Sequence, residues 1–315
     1  MTEEIATREA YGKALVELGQ RMEKIVVLDA DLSNSTRTVL FAEKFPLRFF
    51  NMGISEADMM GTAAGLAASG FIPFVSTFGV FATGRAYDQV RNSIAYTKLN
   101  VKIVATHTGI TVGEDGASHQ ALEDIALMRV LPNMTVVVPA DGRQTYQAVE
   151  AIARCSGPVY LRLGRPKVPV VIPEGLPFEL GKAQLLKDGK DLAFIATGIT
   201  VKPALEAAKL LESEKISAAV VNMHTIKPLD KELLLEMAQK TGTLVTVEEH
   251  SVIGGLGSAV AELVSENFPV PVIRVGINDT FGESGTPEAL LKKYGLTAEN
   301  LILAGKAALQ KKKEI

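Results

Sequence analysis

A single cysteine, Cys155, stands in 315 residues, which excludes a disulfide framework, a thiolate metal site and a dithiol redox pair. Long apolar runs are missing as well. Hydrophobic residues make up 47% of the chain, yet no stretch of about 18 apolar residues occurs, so no membrane span is expected. The net charge is −3 and there is no basic cluster apart from Lys311, Lys312 and Lys313. Nucleic acid is thereby excluded as a partner, because its phosphates demand a positive face, and the three lysines read as a solvated tail. The first eight residues, Met1 to Arg8, have neither the apolar core of a secretion signal nor the acid-poor character of a transit peptide, so the expected compartment is the cytoplasm. What remains is a soluble globular chain long enough for about two domains.

Apolar, β-branched runs of strand length alternate with helical patterns along the chain. Lys24–Leu28, Arg48–Met52, Phe71–Phe78, Val101–His107, Met134–Pro139 and Val159–Leu163 read as strands. Helices are expected around Ile5–Met22, Glu56–Ala68, Phe81–Thr97, His119–Val130 and Gly142–Ala153. This is the rhythm of parallel βαβ units, and runs such as Val136-Val137-Val138 suit strands buried on both faces. From Pro166 to Pro177 four prolines interrupt any regular element. Beyond them strands at Leu192–Ala196, Ala218–Asn222, Leu244–Val247 and Val272–Val275 alternate with helices near Lys202–Ser213, Lys231–Gln239, Leu256–Asn267 and Pro287–Lys293. The expected fold is therefore α/β: two consecutive open α/β domains with mostly parallel sheets, over residues 1–168 and 191–315, joined by a linker at 169–190.

Ligand-serving residues of such sheets lie just past the carboxyl ends of strands. Asp29, Asp31, Ser33, Asn34 and Ser35 follow the first strand, Glu56 the second, Phe78 and Phe81 the third; His107 ends the fourth and Arg165 follows the last. Glu56 is conspicuous among them. It opens a segment of apolar and small residues, including Met59, Met60, Ala63 and Ala64, where an unpaired carboxylate costs several kcal/mol or must protonate. Read in isolation it is a helix-start acid behind Ser55.

Three segments, Gly53-Ile-Ser-Glu-Ala-Asp-Met59, Ser76-Thr-Phe-Gly-Val-Phe81 and Gly113-Glu-Asp-Gly-Ala-Ser-His-Gln-Ala-Leu-Glu-Asp124, resemble in order and spacing the pyrimidine-binding domain of transketolase. The trailing part, with Val247-Glu-Glu-His250 and Phe281-Gly-Glu-Ser-Gly-Thr-Pro287, is similar to the carboxyl-terminal domain of that family. The resemblance implies that Glu56 hydrogen-bonds the aminopyrimidine ring of thiamine diphosphate, a task for which its apolar setting is suited, and that Phe78 and Phe81 pack around that ring. It implies that Arg8, Ser35 and Arg165 hold a sugar phosphate, Arg165 being preferred to Arg162 because of the Arg-Pro pair. Asp31, in the same Asp-Leu-Ser-Asn-Ser stretch as Ser35, joins the substrate set. His107 and Asp115 then meet sugar hydroxyls, and His119 lies near the reacting carbonyl. A position for His119 near a helix start would let the dipole keep its imidazole neutral. His224 and His250 fall where the family has no chemistry and read as surface or structural.

Two departures from the family pattern bear on function. Ala82-Thr83-Gly84 separates Phe81 from Arg85, so a third aromatic is not assured. No Gly-Asp-Gly with a downstream asparagine is present at the spacing that holds Mg²⁺ and the diphosphate, and a whole transketolase is about twice this length. The resemblance thus implies the carboxyl-terminal subunit of a split transketolase, catalysing ketol transfer between sugar phosphates. Its partner is an amino-terminal subunit that carries the diphosphate-binding domain and the Mg²⁺ ligands, in a dimer or heterotetramer. A deoxyxylulose phosphate synthase-like fragment, a 2-oxoacid dehydrogenase beta-type subunit and a non-catalytic regulatory subunit share the fold. Against these stand His107, the Glu114 to Gln120 segment, and the joint presence of Glu56, His119 and Arg165.

Overall fold

The computed structural model describes residues 3–314. Its strands are β1 (Glu4–Ala6), β2 (Ile25–Asp29), β3 (Phe49–Asn51), β4 (Ile72–Phe78), β5 (Lys102–Thr106), β6 (Thr135–Val137), β7 (Val159–Arg162), β8 (Lys167–Pro169), β9 (Gln184–Lys187), β10 (Leu192–Ala196), β11 (Ala218–Asn222), β12 (Thr225–Lys227), β13 (Leu244–Ser251) and β14 (Val272–Ile277). They form a seven-stranded sheet ordered β12-β6-β7-β5-β4-β2-β3, a five-stranded sheet ordered β14-β13-β10-β11-β9, and a β1-β8 pair. The fold is α/β, and in the larger sheet every pairing is parallel except that of β12 with β6.

The apolar run of β2 shows why these segments are strands. All five of its residues are buried, and the pleat sends alternate side chains to opposite faces. Val26 and Leu28 join Met59, Met60 and Ala63 on one face; Ile25 and Val27 meet Tyr11, Leu15, Leu18 and Phe41 on the other. Helix α1 (Thr7–Arg21) therefore covers one face and helix α2 (Glu56–Ala68) the other. Burying each such Val, Leu or Ile contributes roughly 1.5–3 kcal/mol. The cluster holding Met59 and Leu28 continues through Val136 and Tyr160 to Ile195 and Val221 of the second sheet and to Leu234 of the helix Lys231–Thr241 that covers it, so the two sheets share one apolar interior.

Four features differ from the sequence reading. The proline-rich stretch is not featureless: β8 pairs antiparallel with β1, and β9 forms an edge of the second sheet. Strand β12, distant in sequence, is the edge of the first sheet. The segment after Phe81 winds partly in wide π-type turns, at Phe81–Arg85 and Val90–Ala95, instead of one regular helix. Finally, the terminal lysines end a 16-residue helix, Ala298–Lys313. Lys312 Nζ donates to the Thr241 carbonyl at 2.7 Å, so the segment is a docked helix and not a solvated tail.

Candidate active site

The carboxyl ends of the first sheet's strands and the first turn of α1 carry the expected residues. Glu56 is the first residue of α2, with Ser55 at the cap position making no side-chain cap bond. The carboxylate is only 4% exposed. One oxygen accepts from Arg85 Nη1 at 3.3 Å; among the described residues the other has no hydrogen-bond partner. The Arg85 guanidinium lies 4.3 Å from the centre of the Phe81 ring, and Phe81 and Phe78 are near parallel at 5.9 Å. His107 stacks on Phe78 at 3.9 Å, while His119 presents itself edge-on to Phe78 and Phe81 at 6.2 and 5.5 Å. Through Arg85, Glu56 is thus connected to a wall made of the two phenylalanines and the two histidines. Arg85 was not anticipated from the sequence, although Phe81 and Arg85 at i, i+4 is the spacing that brings a cation over a ring.

A second group adjoins it. The Arg8 side chain donates to the carbonyls of Ser35 (2.8 Å) and Arg165 (3.2 Å), and Thr7 Oγ1 and the Gly164 backbone bond one another, fixing the Arg165 turn against α1. Arg165 pairs with Glu114 at 3.0 Å and reaches Asp115 at 4.0 Å. Arg8 and Arg165 line a cavity of ≈ 240 Å³ with Ala6, Thr111 and Pro287. Burial and the neighbouring Arg37 lower the Arg8 pKa, although a guanidinium remains charged. Ser35 contributes its carbonyl to Arg8, and its hydroxyl has no hydrogen-bond partner among the described residues. Asp31 is exposed and accepts from Asn51 Nδ2 at 3.1 Å; no bond joins it to the arginines.

His107 lies where the two groups meet. It is 3% exposed, and burial, reinforced by Arg8, Arg165 and His119, pushes its imidazole down to about 3. The ring is therefore neutral at neutral pH. Its Nδ1 is bonded to Thr106 Oγ1 at 2.9 Å. The backbone of His107 has φ 54 and that of Asp31 φ 62, a left-handed conformation that costs a non-glycine residue about 1–2 kcal/mol and is retained where surrounding structure enforces it.

Two expectations need correction, those for His119 and Asp29. The helix expected from His119 begins at Asp124, so His119 lies in a turn and its imidazole, bonded to Ser118 Oγ at 2.9 Å, is beyond reach of that helix's dipole, which falls off within a turn. Asp29 is not at the rim: it is fully buried and accepts from Leu32 N, Thr36 Oγ1 and Thr38 Oγ1, shaping the loop that presents Asp31 and Ser35. Of the two readings of His224 and His250, surface or structural, their burial favours the structural one. Arg162 is buried in a bidentate pair with Asp124, at 2.7 and 3.2 Å, to which Tyr160 also donates, and takes no part in the arginine group around Arg165.

Comparison with known proteins matches two parts of the chain. Residues 3–170 match the family described as "Transketolase, pyrimidine binding domain" and residues 181–301 match "Transketolase, C-terminal domain". The chain is 52% identical over 297 residues to the "Putative transketolase C-terminal section" of Methanocaldococcus jannaschii, with 93% of each covered. It is 46% identical to the "6-deoxy-6-sulfo-D-fructose transketolase subunit" of a Clostridium species, covering 98% of this chain and 96% of that one. A solved structure described as "Split gene transketolase, inactive beta4 tetramer" superposes with a TM-score of 0.92 at 62% identity over 98% of this chain and 99% of that chain.

Proposed function

The chain belongs to the transketolase family, and from that premise we propose that it is the carboxyl-terminal subunit of a split, thiamine-diphosphate-dependent transketolase. It transfers a two-carbon ketol unit from a ketose phosphate to an aldose phosphate, and is active only with a partner bearing the diphosphate-binding domain. The observation that carries this reading is Glu56, a buried carboxylate with one oxygen unpartnered among the described residues and linked through Arg85 to the Phe78–Phe81 pair.

That arrangement fits an aminopyrimidine ring: a flat apolar heterocycle with a basic ring nitrogen suits aromatic walls and a carboxylate able to share its proton. When bound, the cofactor supplies the nucleophilic carbon and electron sink for ketol transfer. The contribution of this chain is to hold a proton at the Glu56 carboxylate, confine the ring with Phe78 and Phe81, and offer His107 and His119 to substrate oxygens. Neutral His107, with Nδ1 engaged by Thr106, keeps Nε2 for a sugar hydroxyl. Arg8 and Arg165 supply charge-assisted donors for a phosphate, with Ser35, Asp31 and Asp115 around them. Mg²⁺ and the diphosphate belong to the partner in this reading, because the chain has no Gly-Asp-Gly with a downstream asparagine at the required spacing.

The partner requirement is supported by the relatives described as a section, a subunit and a split-gene product, each covered almost end to end. It is supported also by the description of the superposed assembly, built of β chains alone, as inactive. The test mixes the purified chain with the product of a neighbouring reading frame that carries the Gly-Asp-Gly motif, thiamine diphosphate and Mg²⁺. Turnover of xylulose 5-phosphate and ribose 5-phosphate is expected only in the mixture. Ketol transfer by the single chain would refute the split assignment.

A further inference from the structure

The loop His107–Asp115 carries two of the proposed substrate residues, and the carboxyl-terminal half of the chain grips it from behind. Glu249, near the carboxyl end of β13, is 4% exposed. Its Oε1 accepts from the Thr111 backbone N–H at 2.6 Å. The same carboxylate lies against Gly109, where φ is +75 and an added Cβ would stand 2.2–2.6 Å from the Glu249 carboxyl atoms. The Glu249 backbone is fixed in turn, since its carbonyl accepts from Arg162 Nη2 at 2.9 Å, and Arg162 is held by Asp124. Next along the loop, the Val112 carbonyl accepts from Arg165 Nη1. One buried carboxylate thereby fixes the loop between His107 and Asp115 and, through Val112, the guanidinium facing the ≈ 240 Å³ cavity.

We propose that Glu249 is a positioning residue which sets the His107–Asp115 loop and the orientation of Arg165 for the phosphorylated end of the substrate. The inference rests on the ketol-transfer reading for what the loop contacts, but not for the clamp itself. A residue that only orients the groups holding the phosphate, before and during reaction alike, changes binding in ground and transition states together. Its loss therefore raises KM and leaves kcat nearly intact.

The test uses Glu249→Met, which keeps the volume but removes the acceptor, and Glu249→Gln, which retains an oxygen for the Thr111 amide. In the reconstituted complex with xylulose 5-phosphate and ribose 5-phosphate, Glu249→Met is expected to raise KM for the ketose phosphate about tenfold with kcat within about twofold. Glu249→Gln should remain within about threefold of the parent in both. Gly109→Ala, which displaces the carboxylate from the opposite side, should reproduce the KM effect. An unchanged KM in Glu249→Met, or a fall confined to kcat, overturns the assignment. Amide hydrogen exchange on the full chain alone separates the clamp from the reading it serves. Protection at Thr111 should fall at least tenfold in Glu249→Met and persist in Glu249→Gln, whatever reaction the complex catalyses, and unchanged protection in the Met variant refutes the clamp outright.

Discussion

Replacing Glu56 by Gln separates a catalytic carboxylate from a structural one. The side chain has one partner among the described residues, Arg85, at 3.3 Å, and Arg85 is 56% exposed. An ion pair with so exposed a partner is worth at most about 1 kcal/mol. The Gln oxygen can still accept from Arg85, and removing the charge also removes its desolvation cost. The two changes oppose one another, so stability should move by no more than about 1 kcal/mol, a melting shift of roughly 2–4 °C. Activity behaves differently, because an amide cannot share a proton with a ring nitrogen. Loss of a positioned acid–base group costs about 10²–10⁴ in rate, or roughly 2.7–5.4 kcal/mol of barrier. Thermal melts of the chain and ketol-transfer rates of the reconstituted complex read the two effects separately. Turnover within tenfold of the parent would refute the proton-sharing role; lost activity accompanied by a melting shift well beyond 4 °C would show that Glu56 is chiefly structural.

Two further perturbations test the interior. Asp124→Asn leaves the buried Arg162 without its counter-charge, and breaking such a pair costs about 3–5 kcal/mol, visible as a lower urea midpoint; a change under about 1 kcal/mol would show that the pair is neutral in effect. His224 and His250 are held neutral by burial, each down to about 4. The unfolded chain takes up their protons near pH 6.5, so their contribution is intact above that pH and is lost as pH falls toward 4, roughly 2 kcal/mol apiece by pH 5. Glu248 opposes this: burial raises it to about 7, so its cost to stability grows as pH rises from about 4.5 to 7. Comparing unfolding free energies of the parent and His224→Gln across pH 4–7 isolates the histidine, and the variant's curve should be flatter below 6.5. Parallel curves would refute the neutral assignment.

How far the architecture could be read in advance depended on whether the cause was local. β2 was legible because both its faces are apolar, which leaves a mark in consecutive residues. Glu56 stood out because its neighbours are small or apolar, and it opens the helix expected there. β12 left no such mark: three residues, Thr225–Lys227, have no periodicity of their own, and only the vacant side of β6 makes them a strand. The helix expected from His119 starts five residues later, at Asp124. The chain instead makes an extra turn, which brings Asp124 to the helix start and to Tyr160 and Arg162, contacts from β7, 36 and 38 residues further along. The terminal lysines looked like a charge run in water, since only the packed structure places the Thr241 carbonyl under Lys312. In the site, the residue types were legible and their partners were not. Arg85 on Glu56, and Glu249 against Gly109, join segments that no local pattern connects.

The place of β12 at the edge of the first sheet has a consequence for how the protein is made. Translation proceeds from one end, and β6 and β7 leave the ribosome long before Thr225–Lys227. At roughly 5–20 residues per second, the nascent sheet waits several seconds for its last strand. Throughout that interval the side of β6 that faces away from β7 is an open edge, the kind of surface on which neighbouring chains pair wrongly. The brevity of β6, Thr135–Val137, offers little template to such a neighbour. The sheet that bears the candidate site is thus closed only after synthesis has moved well into the other half of the chain.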